Sequence, residues 1–417
     1  MQLYLFDDNN IASVFGIGTY IRELVATLES SGIHIHIVHL HSNRPRFEIE
    51  KTDQVENWYI PKVYNDGISF NSVQNIEDYC RNVLYLLRLH IPEDTENLIF
   101  HFNYNQYQWL AKELKTAFNC TTVTTVHFVK WMLELQGNLS MFHAIKAKPE
   151  NQLNSLEQSL LKTDEYESML YREVDKVIAL SRDMKNHLCN EYQIIADKII
   201  VIPNGLSKID NVETDNYLSL RKKWHINDKE LLILFVGRLH PVKGLAFLIR
   251  AFREVLKTMP NCRLIIAGNG NYDLYLKECK DICTKITFAG FLEKHELHEL
   301  YHIADLGITP SLYEPFGYVA LEMMMHSLPI VTTTTSGLNE VVNDTCGLKI
   351  PLIVHSDRVD IDVDLLAEKI RYLLQCPVEA HRLGKNGRKR LMKYYSPEIF
   401  RQNMMDLYKS LIQRNMN

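Results

Sequence analysis

The chain has 417 residues, 46% hydrophobic and 23% charged, which is the composition of a folded globular protein long enough for two cores and excludes a disordered scaffold. Its 46 basic and 51 acidic side chains leave a formal charge of −5 without a strongly basic block, so binding along a nucleic acid backbone is not expected. The eight cysteines are scattered with no CxxC pair and read as thiols of a reducing cytoplasm. With QLYLF directly after Met1 and no apolar run near the ~20 residues that span a bilayer, a cytoplasmic protein is expected, touching a membrane at most peripherally.

Short β-rich runs at 2–6, 33–40, 98–102, 122–128, 176–180 and 199–202 alternate with segments of helical periodicity. A second series follows at 231–236, 263–267, 286–289, 306–309, 330–333 and 347–350. This alternation predicts the α/β class, with parallel sheets and helical crossovers. The polar stretch 206–228 has no apolar period and places a boundary between a domain 1–207 and a domain 208–397. Residues 130–172 are helical in composition without a strand, an insert expected to decorate the first domain. Ser396 and Pro397 open a final amphipathic helix.

Ligands of open α/β sheets bind at strand ends, and three such segments carry chemistry. Phe15, Gly16, Ile17, Gly18 and Thr19 lie between the first strand and a helix expected to start near Thr19. Glycines there let backbone approach a ligand, and a helix N-terminus offers amides to an anion. The pattern equally suits an ordinary tight turn, and without a third glycine it is not a dinucleotide fingerprint. After the first strand of the second domain, residues 237–244 present Arg238 and Lys243, a planar fork and a compact charge suited to a diphosphate or, alternatively, to a solvated basic loop. Glu314 and Glu322 are eight positions apart; a helix starting just after Pro315 would set both carboxylates near one face, a spacing that chance also produces.

GRLHPVKG (237–244), AGNG (267–270), EPFGYVALE (314–322), GLNEVV (337–342) and IPNG (202–205) resemble, in order and separation, the nucleotide-sugar half of retaining GT-B glycosyltransferases of family four, the glycosyl transferases group 1. The glycine turn, His127 and Ser181 match the acceptor half. The resemblance implies two Rossmann-like, doubly wound parallel-sheet domains facing across a cleft, the first completed by a C-terminal helix at 398–417. It implies that Arg238 and Lys243 bind the donor diphosphate, that Glu322 accepts from the ribose hydroxyls, and that Glu314 with the amides of Phe316 and Gly317 addresses the transferred sugar. The base would lie against Phe291 and Leu292, the amides at Gly16 and Gly18 would face the diphosphate or acceptor, and His127 would point at the sugar. The implied activity is transfer from a UDP- or GDP-sugar to a hydroxyl of a glycan, lipid-linked glycan, small molecule or peptide, with no cofactor and no metal. Phe15 in place of a first glycine, and Phe128 where an aspartate is frequent, depart from the pattern on the acceptor side. A narrower resemblance is to uncharacterised bacterial members, for some of which it implies a peptide acceptor. The alternatives are another GT-B activity (nucleotide-sugar epimerase or phosphorylase), a catalytically dead binding subunit, and a Rossmann oxidoreductase disfavoured by the missing glycine.

Three further patterns have plainer readings. Asp360, Asp362 and Asp364 spell DxDxD, but Asp364 before LLAEKI reads as a helix cap. His34 and His36 would face away from His39 and His41 on a strand, which argues against one metal. The basic run 385–393 reads as a solvated helix face, with contact to anionic lipid as the alternative.

Overall fold

A computed structural model describes residues 1–8, 16–52, 54–62, 73–207 and 217–415. Phe15 and much of the expected interdomain stretch, 208–216, lie outside the described residues. The chain forms two compact units, one of residues 1–130, 149–205 and 397–417, the other of 131–148 and 206–396.

The first unit is built on strands β1 (Gln2–Asp8), β2 (His34–Ser42), β3 (Glu48–Lys51), β4 (Val55–Pro61), β5 (Leu98–Phe102), β6 (Cys120–Val126), β7 (Lys176–Ala179) and β8 (Ile199–Val201). They hydrogen-bond in the order β3-β4-β2-β1-β5-β6-β7-β8, parallel throughout except for the edge pair β3 and β4. A parallel strand covered on both faces needs apolar side chains on both, and β5 is buried at all five positions. The pair β3 and β4 falls outside the expected runs. In VENWYIP the buried residues are Val55, Trp58 and Ile60, a spacing that breaks strict alternation around Glu56 and Asn57.

The second unit holds β9 (Leu231–Val236), β10 (Cys262–Ala267), β11 (Ile286–Gly290), β12 (Leu306–Thr309), β13 (Ile330–Thr333) and β14 (Leu348–Ile350), in the all-parallel order β11-β10-β9-β12-β13-β14. Strand order reverses between β9 and β12, so a crevice opens beyond their C-terminal ends. A small antiparallel hairpin, β15 (Leu352–Val354) with β16 (Val359–Ile361), follows. Both units are doubly wound Rossmann-like α/β sheets, as the resemblance implies.

The insert at 130–172 does not stay together. Residues 131–148 belong to the second unit, where the Asn138 side chain caps the helix Leu139–Lys146 and donates to the carbonyl of His355 at 2.8 Å. The helix Ser155–Glu173, opened by a capping box of Asn154 and Glu157, belongs to the first. The final helix, Pro397–Asn415, packs into the first unit through Phe400, beside Gly205 and Tyr20, and through Tyr408. No helix among the described residues is long and apolar enough to cross a membrane.

Tyr408 closes a buried polar network. Its hydroxyl lies 2.7 Å from Nδ1 of His101, whose Nε2 is 2.7 Å from the Thr125 hydroxyl, and Thr125 is 3.1 Å from the hydroxyl of Tyr20. Burial pushes the His101 pKa from 6.5 down to about 3, so the folded protein refuses a proton that the unfolded chain accepts. The sign follows from linkage: this contribution is whole above pH 6.5 and is lost as pH falls from there toward about 3. The urea midpoint of the first unit is expected to drop between pH 7 and pH 5 and to do so less in His101→Gln; a pH-independent midpoint in the parent would contradict this.

Candidate active site

Lys243 ends a short 3-10 turn, Pro241–Lys243, which closes on Gly244 at φ 68°. A Cβ on Gly244 would sit 1.8 Å from the carbonyl oxygen of Pro310, so only glycine allows this approach between the loop after β9 and the loop after β12. The second loop is held along its length: the Leu312 amide donates to the Val242 carbonyl at 2.7 Å, Thr335 Oγ1 donates to the Leu312 carbonyl at 3.0 Å, and the Leu338 amide donates to the Glu314 carbonyl at 3.3 Å. At its far end Gly337 repeats the device, since a Cβ there would lie 1.8 Å from the Pro315 carbonyl oxygen.

The outcome is a direct ion pair between Lys243 Nζ and Glu314 Oε2, both side chains about 20% exposed. Val236, Gly237, Lys243, Ser311, Glu314 and Gly317 line a pocket where β9 and β12 end. Arg238 is half-buried one residue beyond Gly237, between β9 and Leu239, whose amide donates to the Asn269 carbonyl at 2.8 Å.

Glu314 and Glu322 are not on one helix face, contrary to the spacing argument. The helix runs Tyr318–Met325, four residues after Glu314, because Pro315 and Gly317, at φ 108°, delay its start. Gly317 opens that helix, whose first-turn amides face forward as an anion-binding end, and Phe316 is buried against Tyr318 and Tyr395. Glu322 is half-buried on the helix and accepts from the hydroxyl of Tyr301 at 2.7 Å. Phe291, 53% exposed, and Leu292 follow the edge strand β11 and do not line the pocket above.

In the first unit the helix described from Gly16 to Leu28 already includes Gly16 and Gly18 in its first turn, earlier than the start expected near Thr19, with Gly18 buried. His127 follows β6. Its Nε2 is 3.1 Å from the side-chain oxygen of Asn103 and its ring meets Tyr20 edge-on at 4.6 Å. Burial, reinforced by His101, lowers its pKa to about 3, so it is neutral at physiological pH. The next residues are held by Asn105, which donates to the Phe128 carbonyl at 2.8 Å, and by Glu167, which accepts from the Lys130 amide at 3.2 Å. Glu167, whose pKa burial pushes up to about 8, went unnoticed in the sequence because it lies on a helix of the insert with no motif around it.

Asp362, not Asp364, caps the helix Val363–Gln375, accepting from the Leu365 amide at 2.9 Å; β16 ends at Ile361, so the chain enters the helix at residue 362. Asp360 pairs with Arg358 and His355. His36, His39 and His41 face Glu56, Asp7 and Asp8 respectively. No group of three or more His, Cys, Asp or Glu among the described residues is arranged to hold a metal ion. In the basic run, Arg388 and Arg390 turn inward to the carbonyls of Met325, Glu340 and Val341.

A pair of oppositely charged groups meets at the switch point of a parallel sheet, beside a helix N-terminus, the place where open α/β sheets bind their ligands. Residues 14–208 match Glycosyltransferase Family 4 and residues 217–390 match Glycosyl transferases group 1, and the chain belongs to this family of glycosyltransferases. An uncharacterized glycosyltransferase of Methanocaldococcus jannaschii is 37% identical over 176 residues, 40% of this chain and 44% of that one. The chain spans about half the length of the first curated relatives it matches. In fold it is similar to sucrose-phosphate synthase from Thermosynechococcus elongatus, with a TM-score of 0.74 at 20% identity and 99% of each chain covered. It is likewise similar to Anabaena HepE in complex with UDP-glucose, with a TM-score of 0.70 at 15% identity, covering 99% of this chain and 100% of that one.

Gly244→Ala must place a side chain in a left-handed conformation and against the Pro310 carbonyl, and is expected to cost on the order of 1–3 kcal/mol or more. Urea denaturation followed in the second unit checks this; an unchanged midpoint would show that the two loops are not held together here.

Proposed function

We propose that the protein is a retaining, metal-independent glycosyltransferase that moves a sugar from a UDP- or GDP-sugar to a hydroxyl of a glycan, lipid-linked, small-molecule or peptide acceptor. The observation that carries this reading is the meeting of Lys243 and Glu314 where β9 and β12 end, in a chain of this family. The UDP-glucose bound by the similarly folded HepE supports a nucleotide-sugar donor.

When the diphosphate leaves the anomeric carbon, negative charge grows on its oxygens while the sugar gains oxocarbenium character. Arg238, Lys243 and the helix end at Gly317 oppose the first change by fixed positive charge and amide dipoles, which is the task a metal ion performs elsewhere. A diphosphate approaching Lys243 meets a cation already paired with Glu314, so its arrival frees that carboxylate to accept from the sugar hydroxyls. Same-face attack, with the leaving phosphate taking the acceptor's proton, keeps the configuration and needs no covalent bond to Glu314. His127, neutral and held by Asn103, is assigned to the acceptor side as a hydrogen-bonding group.

The two carboxylates separate kinetically. With donor turnover assayed in EDTA, Glu314→Gln is expected to lower kcat on the order of a hundredfold, because its contact matters most as charge redistributes. Glu322→Gln is expected mainly to raise the donor KM, by about tenfold, because a ribose contact is present before and during transfer. Loss of all parent turnover in EDTA, or equal effects of the two substitutions on kcat, would overturn the assignment.

A further inference from the structure

Glu322 ends in a torsion with broad, shallow preferences, so nothing within the side chain sets the plane of its carboxylate. A ribose diol, however, demands a defined plane, since two adjacent hydroxyls must both find lone pairs. The protein supplies that definition from a neighbouring helix. Tyr301, on the helix Lys294–Ile303 and 1% exposed, donates its hydroxyl to Glu322 Oε2 at 2.7 Å. Its ring is fixed in turn: it stacks with His326 at 5.5 Å and 28°, and His326 Nε2 is 3.0 Å from Nδ1 of His298 on the same helix as Tyr301. Burial and the Glu322 charge hold the phenol well above its ordinary pKa of 10, so it remains a donor at any working pH.

We infer that Tyr301 is a positioning residue for donor recognition, orienting Glu322 so that the carboxylate reads the ribose diol of the nucleotide. This rests on the reading of Glu322 proposed above. A tyrosine hydroxyl uses one of the roughly four lone-pair positions of a carboxylate, a group that can accept several hydrogen bonds at once. The bond to an ionised acceptor is short and directional, which makes it suited to orientation as well as to stability. Tyr301 is not placed against the nucleotide; it acts through Glu322.

The inference predicts a change in selectivity, which a merely structural residue would not produce. Binding of UDP, GDP and their 2′-deoxy counterparts is measured calorimetrically with the parent, Tyr301→Phe, Glu322→Gln and the double variant. Phenylalanine keeps the ring that stacks on His326, and a thermal melt of each variant reports the fold. The parent is expected to prefer the ribonucleotide, Tyr301→Phe to lose about fivefold of that preference, the worth of one hydrogen bond, and the double variant to match Glu322→Gln alone. If Glu322→Gln loses the preference while Tyr301→Phe keeps it, or if Tyr301→Phe weakens ribo and deoxy forms equally, Tyr301 does not position the carboxylate and the inference falls. If Glu322→Gln itself keeps the preference, the reading of Glu322 fails first and the inference with it.

Discussion

The close backbone contact between Gly244 and Pro310 is the constraint on which the rest of the site depends. It brings the loop after β9 onto the loop after β12 at a distance no side chain permits, and Gly337 against Pro315 fixes the other end of the second loop. Between these two contacts the chain has little freedom left, with Leu312 and Glu314 tied through their main chains and Ser311 through its carbonyl to Thr333. Lys243 and Glu314 therefore meet because their backbones are placed, and the ion pair is a consequence of that placement. This matters because a lysine and a glutamate on mobile loops would lose in side-chain entropy most of what their attraction provides.

The pair has a cost and a use. Two half-buried charges are partly desolvated, and their attraction offsets that penalty only while both remain. On the proposed function, a ligand carrying a diphosphate competes for the lysine on favourable terms, being the more highly charged anion, and the glutamate is then released beside the sugar. In the other carboxylate the arrangement is the reverse. Glu322 accepts from a neutral donor, the hydroxyl of Tyr301. On the proposed roles, an ionic partner serves where rearrangement is needed and a neutral partner where fixed orientation is needed.

Much of this was legible in the sequence, for physical reasons that also explain the gaps. Strands buried on both faces carry no charged residues and are rich in apolar and β-branched ones, so residues 231–236, 306–309 and 330–333 announce β9, β12 and β13 without error at either end. The places of Arg238, Lys243 and Glu314 just beyond β9 and β12 were legible because the strands end shortly before them, and the glycines near them mark forced approaches. The helix start at Tyr318 was misplaced because a proline two or three residues ahead of a helix looks much like one at its first turn. Asp362 and Asp364 both suit a cap, and only the end of β16 at Ile361 decides between them. Residues 131–148 carry no local sign of their partner; Asn138 reaches carbonyls more than two hundred positions away. Tyr301 and Glu167 stayed hidden for the same reason, since each owes its role to a residue on another element.

On the proposed function, the loops after β9 and β12 form a diphosphate site whose cations replace a metal. Its most direct test is calorimetric titration of UDP- and GDP-sugars, in EDTA, into the parent protein and into the folded Arg238→Ala, Lys243→Ala double variant. Measurable binding of a nucleotide-sugar by the parent is expected, with a loss of about 3 kcal/mol or more in the variant, from two charge-assisted contacts of ~1.5–3 kcal/mol each. Equal affinities in the two proteins, or binding by the parent only when a divalent cation is added, would contradict it.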